Sequence, residues 1–374
     1  MSNPIFPEIK KNFGLGCMRL PKVDGQPDYE AIKEIVDTFM AAGFNYIDIA
    51  RPYMEGQNEM ALRECLTSRY PRDSYVLTNK LSMGLFNSRE EIRPVFEDQL
   101  KACGVDYFDF YLMHAQGRNN YEKYCRCGAY EVAKQLQEEG KIRHLGISFH
   151  DKASFLEKIL QDYPFVEVVQ LQLNYADFDS PSVESRKCLE ICRKYGKPVI
   201  VMEPVKGGSL VKLPEAAQKV FDELGGGSNA SYAIRFAASQ EGVFMVLSGM
   251  GDVEMVKENC SFMADFRPLD DREKAAVEKV CEIFKGMDAI ACTECRYCVA
   301  GCPQNISIPD LFSCMNSKRL FKNWNSDFYY NAVHTKNRGK ASDCIECGLC
   351  ENSCPQHLPI RKLLKDVAAE FEKE

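Results

Sequence analysis

Long apolar runs are missing from this 374-residue chain: no window approaches the roughly eighteen consecutive apolar residues of a bilayer-spanning helix, so no membrane span is expected. Positive charge is not in excess either. With 47 lysines and arginines against 54 aspartates and glutamates, the formal net charge of -7 argues against a nucleic-acid-binding surface. The first 25 residues, MSNPIFPEIKKNFGLGCMRLPKVDG, hold no apolar signal-peptide core. A cytoplasmic location is therefore expected, where thiols stay reduced. No GxGxxG follows the first apolar run, which speaks against an open dinucleotide-binding sheet. What remains, 45% hydrophobic and 27% charged residues, is the composition of a folded soluble protein.

Cysteine, by contrast, is abundant: there are eighteen, and eight of them fall in two runs. CTECRYCVAGCP places Cys292, Cys295, Cys298 and Cys302 at steps of three, three and four. CIECGLCENSCP places Cys344, Cys347, Cys350 and Cys354 in the same way, 52 residues on. The offset persists past the cysteines, since CPQNISIPDLF (302–312) aligns with CPQHLPIRKLL (354–364), so two copies of one supersecondary unit are expected. Three thiols at i, i+3 and i+6 let a short loop wrap one face of a cuboidal cluster. The fourth, followed by proline, turns away toward a second centre. This CxxCxxCxxxCP run resembles the bacterial ferredoxin pattern, in which the fourth cysteine ligates the other cluster. The resemblance implies two [4Fe-4S] clusters, one on Cys292, Cys295, Cys298 and Cys354, the other on Cys344, Cys347, Cys350 and Cys302. Two four-cysteine zinc sites and disulfides are the alternatives. Structural zinc usually takes two CxxC pairs across a longer spacer, so the spacing favours iron and sulfur. From residue 286 onward eleven basic residues balance eleven acidic ones, which predicts no electrostatically steered redox partner for this module. Of the ten other cysteines, single ones such as Cys17, Cys65, Cys188 and Cys260 read as small buried hydrophobes, and Cys125 with Cys127 specifies no site alone.

Upstream, strand-like apolar runs alternate with helix-like periodic stretches about eight times. The strand candidates are residues 12–20, 44–50, 74–81, 107–114, 144–149, 166–174, 197–204 and 243–250. Between them lie helical segments such as YEAIKEIVDTFMAAG, closed by a glycine, and SREEIRPVFEDQLKACG, opened by a serine cap with glutamate in its first turn. Eight βα units in roughly 250 residues fit a closed parallel barrel. The expected architecture is a (β/α)8 TIM barrel over residues 1–285, followed by a small, mainly helical dicluster domain over 286–374.

In such a barrel the chemistry sits on the C-terminal face, where strands end. The second candidate strand ends at Asp48, with Tyr53 five residues on; the third ends at Lys80 and the fourth at His114, one of only five histidines. DIARPYMEGQNE, Lys80 at the end of VLTNK, FYLMH, EEGKIRHLGISFHD and VQLQLNY, in this order, resemble the motifs of the aldo/keto reductases across the whole barrel. The resemblance implies a catalytic tetrad. Tyr53 would donate the proton, Lys80 would lower the tyrosine's pKa, Asp48 would hold the ammonium, and His114 would orient the substrate oxygen. It further implies a nicotinamide held by Ser148 and Gln170 against Met202 and Glu203, with Gly249, Glu258 and Asn259 toward its far end. Phe149 stands where asparagine usually follows the serine, and Met202 where an aromatic usually stacks. SGMGDVEMVKEN lacks the lysine and arginine at the positions that normally engage a 2′-phosphate. NAD(P)H, a flavin, or no bound nicotinamide remain open as electron source.

Clusters carry single electrons while a nicotinamide passes two as hydride, so coupling them needs an intermediary, normally a flavin. The leading expectation is an oxidoreductase that reduces a carbonyl or related unsaturated small molecule, fed by a nicotinamide, by the clusters, or by a redox partner such as a ferredoxin or flavoprotein. The second is an electron-transfer protein whose barrel docks a partner. A metal-stabilised scaffold without catalysis is the third. Residues 115–130 are expected to cover the site.

Overall fold

Each of the eight apolar runs forms a strand in the computed structural model, which describes residues 5–118, 120–180, 183–287, 289–290, 292, 296–321, 324–354 and 358–373. The strands are β1 (Phe13–Gly16), β2 (Tyr46–Asp48), β3 (Val76–Leu81), β4 (Phe108–Gln116), β5 (Ile142–Phe149), β6 (Val168–Gln172), β7 (Val199–Met202) and β8 (Val243–Ser248). They close in the order β1-β8-β7-β6-β5-β4-β3-β2, every neighbouring pair parallel. The expected barrel is therefore present. No helix among the described residues is long and apolar enough to cross a membrane.

Side chains alternate between the two faces of a strand, so one parity fills the barrel. The lower interior is apolar, built from Tyr46, Val76, Phe110, Leu112, Val168, Ile200, Met245 and Leu247, and closed below by Phe6 and Ile9 of the N-terminal segment. Gly146 belongs to this interior set, since a Cβ there would stand 2.5 Å from Val168 and 2.6 Å from Leu112 side-chain atoms. Two residues further along each strand, the same parity delivers Asp48, Thr78 and then Lys80, His114, Ser148, Gln170 and Met202. Alternation alone thus gathers the expected polar set in the top layer.

The surrounding helices follow the 3.6-residue period. Helix Tyr29–Ala41 is capped by Asp28, whose carboxylate accepts from the Ala31 N–H, and buries Ile32, Ile35, Val36 and Phe39. It ends before Gly43 at φ 85°. Helix Arg89–Cys103 closes on Gly104 at φ 67°. Its start differs from expectation: Ser88 occupies the cap position, yet its hydroxyl makes no cap bond. The Glu91 carboxylate instead accepts the Asn87 N–H at 2.7 Å.

The chain forms two compact units, Met1–Asn174 with Ser185–Val205 and Ala230–Asp270, and Tyr175–Glu184 with Lys206–Asn229 and Asp271–Glu374. All barrel strands lie in the first. In the second, the 52-residue repeat is visible as structure. Helices Tyr297–Ala300 and Leu349–Asn352 are equivalent and pack on each other, as do helices Ile308–Phe321 and Ile360–Phe371, which begin 52 residues apart. Each short helix is entered through a left-handed residue, Arg296 at φ 65° and Gly348 at φ 74°. Ile306, Ile308, Leu311, Phe312, Tyr330, Ile360, Leu364, Val367 and Phe371 form the core of this module.

Candidate active site and cluster module

Lys80, at the rim of the barrel, is a buried cation. Lys80 has no exposed surface, and its Nζ donates to Asp48 Oδ2 at 2.8 Å and to the Ile49 carbonyl at 2.9 Å. The same Nζ lies 4.9 Å from the centroid of the Tyr53 ring, where its charge acts on the phenol. Burial alone would push the ammonium toward neutrality, but the Asp48 carboxylate and Tyr53 outweigh it and raise the Lys80 pKa. Lys80 is held in turn by its backbone: Gln99 donates to its carbonyl at 3.1 Å and to Glu59 at 2.9 Å, and Asn79 donates to the same Glu59 oxygen at 2.9 Å. Glu59 is the last residue of DIARPYMEGQNE.

Tyr53 sits in a turn with Met54 at φ 53° and Glu55 at φ 52°, a conformation that side chains rarely adopt. Asn58 ties this turn down. Its amide accepts from the Ala50 N–H at 3.4 Å and donates to the Cys17 carbonyl at 2.9 Å. Burial pushes the Tyr53 phenol up; Lys80 opposes this, and the net displacement is upward. Lysine thus acts with the expected sign, but the dry site acts more strongly. The His114 ring meets Tyr53 edge-on with centroids 5.9 Å apart, and its Nδ1 lies 2.6 Å from Ser82 Oγ. When Ser82 donates to Nδ1, the imidazole hydrogen is on Nε2. Burial, then Lys80, then His150 hold His114 far below the usual histidine range, so it is neutral at neutral pH. Of residues 115–130, Tyr124 reaches the rim, donating to the carbonyls of Leu81 at 2.6 Å and His114 at 3.1 Å.

Ser148 and Gln170 are register partners on β5 and β6. Ser148 Oγ accepts the N–H of Ala115, a residue at φ 52° where β4 is irregular, at 2.8 Å. Gln170 Nε2 donates to Asp48 Oδ1 at 3.1 Å. Met202 is half-buried at the end of β7. Glu203, next along, stands at φ 58° with Oε1 3.3 Å from Arg19; its Oε2 is buried without a hydrogen-bond partner among the described residues. Gly249 follows β8, and Asn259 is buried with Nδ2 3.4 Å from Ser248 Oγ, while Glu258 is exposed. Sequence reasoning missed Ser82, Arg19 and His150. The period-two file Gly146, Ser148, His150 was the available signal for the last.

In the second unit, Cys298 and Cys350 are buried at equivalent positions of the two short helices. Cys292, Cys302, Cys344 and Cys354 are half-buried against the module core, Cys347 is exposed, and Cys295 lies outside the described residues. Cys302 Sγ accepts the Ile306 N–H at 3.4 Å. No three candidate metal ligands are gathered at coordinating distance among the described residues.

Residues 12–282 match the model of the aldo/keto reductase family, and residues 291–359 that of a 4Fe-4S dicluster domain. The chain belongs to the aldo/keto reductase family, as an oxidoreductase that carries an iron-sulfur dicluster domain. Among curated relatives, the uncharacterized oxidoreductase YqkF of Bacillus subtilis (strain 168) is 25% identical over 298 residues, which span 71% of this chain and 90% of that protein. The NADH-specific methylglyoxal reductase of Escherichia coli (strain K12) is 28% identical over 195 residues, 47% of this chain and 57% of that protein. The aldo-keto reductase AKR11C1 of Bacillus halodurans superposes with a TM-score of 0.60 at 23% identity, covering 72% of this chain and 91% of that one. The Klebsiella pneumoniae aldo-keto reductase solved with NADPH gives 0.59 at 21%, covering 72% and 90%.

Proposed function

We propose that the chain reduces a carbonyl or related unsaturated small molecule at the C-terminal rim of its barrel. The observation that carries this reading is the buried Lys80 ammonium held between Asp48 and the Tyr53 phenol, with the neutral His114 imidazole edge-on to that phenol. A carbonyl oxygen that gains negative charge needs a proton and a fixed donor. Tyr53 gives the proton, Lys80 stabilises the phenolate left behind, Asp48 keeps the ammonium charged, and His114 Nε2–H holds the oxygen in place. Similarity to a methylglyoxal reductase and to the glyoxal reductase of Bacillus subtilis (strain 168) supports a small carbonyl.

The rim suits a carboxamide, which offers two N–H donors and one acceptor. Ser148 keeps its O–H to give after accepting from Ala115, while Gln170 Oε1 and the buried Glu203 Oε2 are acceptors. A bound nicotinamide supplies hydride, and the cluster module single electrons. At the far end, exposed Glu258 suits a ribose hydroxyl and repels phosphate, and Lys257 is drawn 2.8 Å from Glu254, so NADH is preferred to NADPH. Cys292, Cys295, Cys298 and Cys354 bind one [4Fe-4S] cluster, and Cys344, Cys347, Cys350 and Cys302 the other. Exchange between the two kinds of carrier would need a flavin or another group able to pass one or two electrons.

The test is anaerobic mixing of purified protein with NADH and separately NADPH while the visible absorption of the clusters is followed, with dithionite as positive control. Bleaching by NADH ties nicotinamide to the clusters. Intact turnover in Tyr53→Phe with normal cluster content would sink the reductase reading. The dicluster domain supports a second reading, in which the barrel docks a ferredoxin or flavoprotein and the clusters relay electrons. Lys80→Met discriminates, because a reductase loses activity and a relay keeps its electron flux.

A further inference from the structure

One extra residue is inserted in β4 at the point where His114 stands. Met113 pairs with Ile147 and Gln116 with Phe149, so β4 takes three steps where β5 takes two. Such a β-bulge bends the strand and re-aims the side chains beside it. Ala115 absorbs the bend at φ 52°, in the left-handed region that a residue with a Cβ enters only against steric strain. Unsupported, this peptide would relax toward extended backbone and carry the His114 ring with it. Side chains hold it instead. The Ala115 N–H goes to Ser148 Oγ at 2.8 Å, and the Ala115 carbonyl accepts from Asn120 Nδ2 at 2.7 Å. Gln116 closes the bulge from the other end. Its Nε2 donates back to the His114 carbonyl at 3.1 Å, its Oε1 takes the Tyr130 hydroxyl at 2.8 Å, and its own carbonyl accepts the His150 N–H at 2.9 Å. Gln116 has no exposed surface and Tyr130 is 2% exposed, so this amide is fixed at both ends in a dry place.

We propose that Gln116 is a positioning residue for the reduction: its amide braces the strained bulge at Ala115 and so keeps the His114 imidazole on Ser82 and turned toward the substrate oxygen. The inference rests on the carbonyl-reductase reading and deepens it. Gln116 acts through His114, whose Nδ1 lies 2.6 Å from Ser82 Oγ and whose ring meets Tyr53 edge-on. A swing of the ring would break the Ser82 contact first. That contact fixes which ring nitrogen carries the hydrogen, so its loss is visible without any turnover.

Strain makes the test specific. Gln116→Met keeps the volume and removes both side-chain hydrogen bonds. NMR of isotope-labelled histidine nitrogens is recorded on the cluster-loaded chain without oxygen, with His114→Gln to assign the signal. In the wild type Nδ1 should resonate as an acceptor, and Gln116→Met should move it toward the tautomer-averaged value of a free imidazole. With methylglyoxal and NADH, kcat should fall by about fivefold to tenfold, the scale of one neutral hydrogen bond, while KM for NADH stays within about twofold. Adding Ala115→Gly, which enters the left-handed region freely, should return the His114 signal and recover most of the lost kcat. A general packing role for Gln116 predicts no such rescue. An unshifted Nδ1 signal in Gln116→Met, or a shift that Ala115→Gly leaves in place, would overturn the proposal. Should Gln116→Met fail to fold, Tyr130→Phe, which removes only the hydroxyl on Oε1, must move the same signal in the same direction, and an unmoved signal overturns the proposal equally. A His114 signal that depends on Gln116 in a wild type that turns over no aldehyde or ketone sinks the reductase reading while the link from Gln116 to His114 stands.

Discussion

A lysine with no exposed surface keeps its charge only where a counter-charge outweighs dehydration, and at Lys80 that condition is met by Asp48 at 2.8 Å. The consequence reaches Tyr53, whose phenol is pushed up by burial and held down by Lys80. Lys80→Met is therefore expected to cut turnover by about 10²- to 10⁴-fold, and to move the alkaline limb of the pH-rate profile upward because burial is then unopposed. Stopped-flow assays across pH check both. Asp48→Asn should act in the opposite sense on the lysine, letting the ammonium deprotonate at lower pH. Asp48, Lys80 and His114 were legible because a charged or imidazole side chain closing an otherwise apolar strand has no packing reason to be there. Ser82 and Arg19 were not. Their roles come from contacts over 32 and 184 residues of sequence, at 2.6 Å to His114 and 3.3 Å to Glu203.

Elements are fixed at places remote from the rim. Beneath the barrel, His144 on β5 has Nδ1 2.9 Å from Glu167 and Nε2 2.9 Å from Glu8 of the N-terminal segment, and its ring packs on Phe6 at 4.7 Å. Burial would lower this imidazole, but the two carboxylates raise it, Glu167 most, while Glu167 itself is lowered. A raised histidine stabilises fully below its unfolded value near 6.5 and loses that contribution as pH rises through its folded value. The lowered Glu167 adds stability above its unfolded value near 4.3, lost as pH falls through its folded value. Closure of the barrel floor should thus weaken on the alkaline side, and His144→Ala should flatten that slope. Hydrogen exchange of Ile9 and Phe13 at pH 6 and 9 reads it directly. In the cluster module, Gly339 bridges Ile306, and a Cβ there would stand 2.2 Å from the Gln304 carbonyl. Gly339→Ala is expected to destabilise the module by about 1–3 kcal/mol in chemical denaturation. Periodicity placed the eight strands and the two helices it named, Tyr29–Ala41 and Arg89–Cys103, correctly. It could not reveal that Ser88 would leave its cap unmade, because a cap bond depends on side-chain geometry that periodicity does not carry.

At the scale of the molecule, the two kinds of chemistry reside in parts that the sequence marks by different means, strand rhythm for one and cysteine spacing for the other. No spacing marks residues 175–184 and 206–229 as part of the second unit, since both lie between barrel strands and carry no cysteine. If cysteines are shared across the repeats as proposed, Cys354→Ser should alter the spectrum of the cluster on Cys292, Cys295 and Cys298, leaving its neighbour in place. Iron content should fall by up to about four per chain, and EPR of the reduced protein would show which signal is lost. The two repeats share a plan but not a backbone cost. Gly348 enters its helix in the left-handed region freely, whereas Arg296 does so against a penalty of roughly 1–2 kcal/mol, and its guanidinium lies 2.6 Å from buried Asp310. The halves are therefore not interchangeable parts. Grafting CIECGLC over CTECRYC would relax one loop while depriving Asp310 of its arginine, so any ancestral doubling has since been locked by divergence into a fixed left and right.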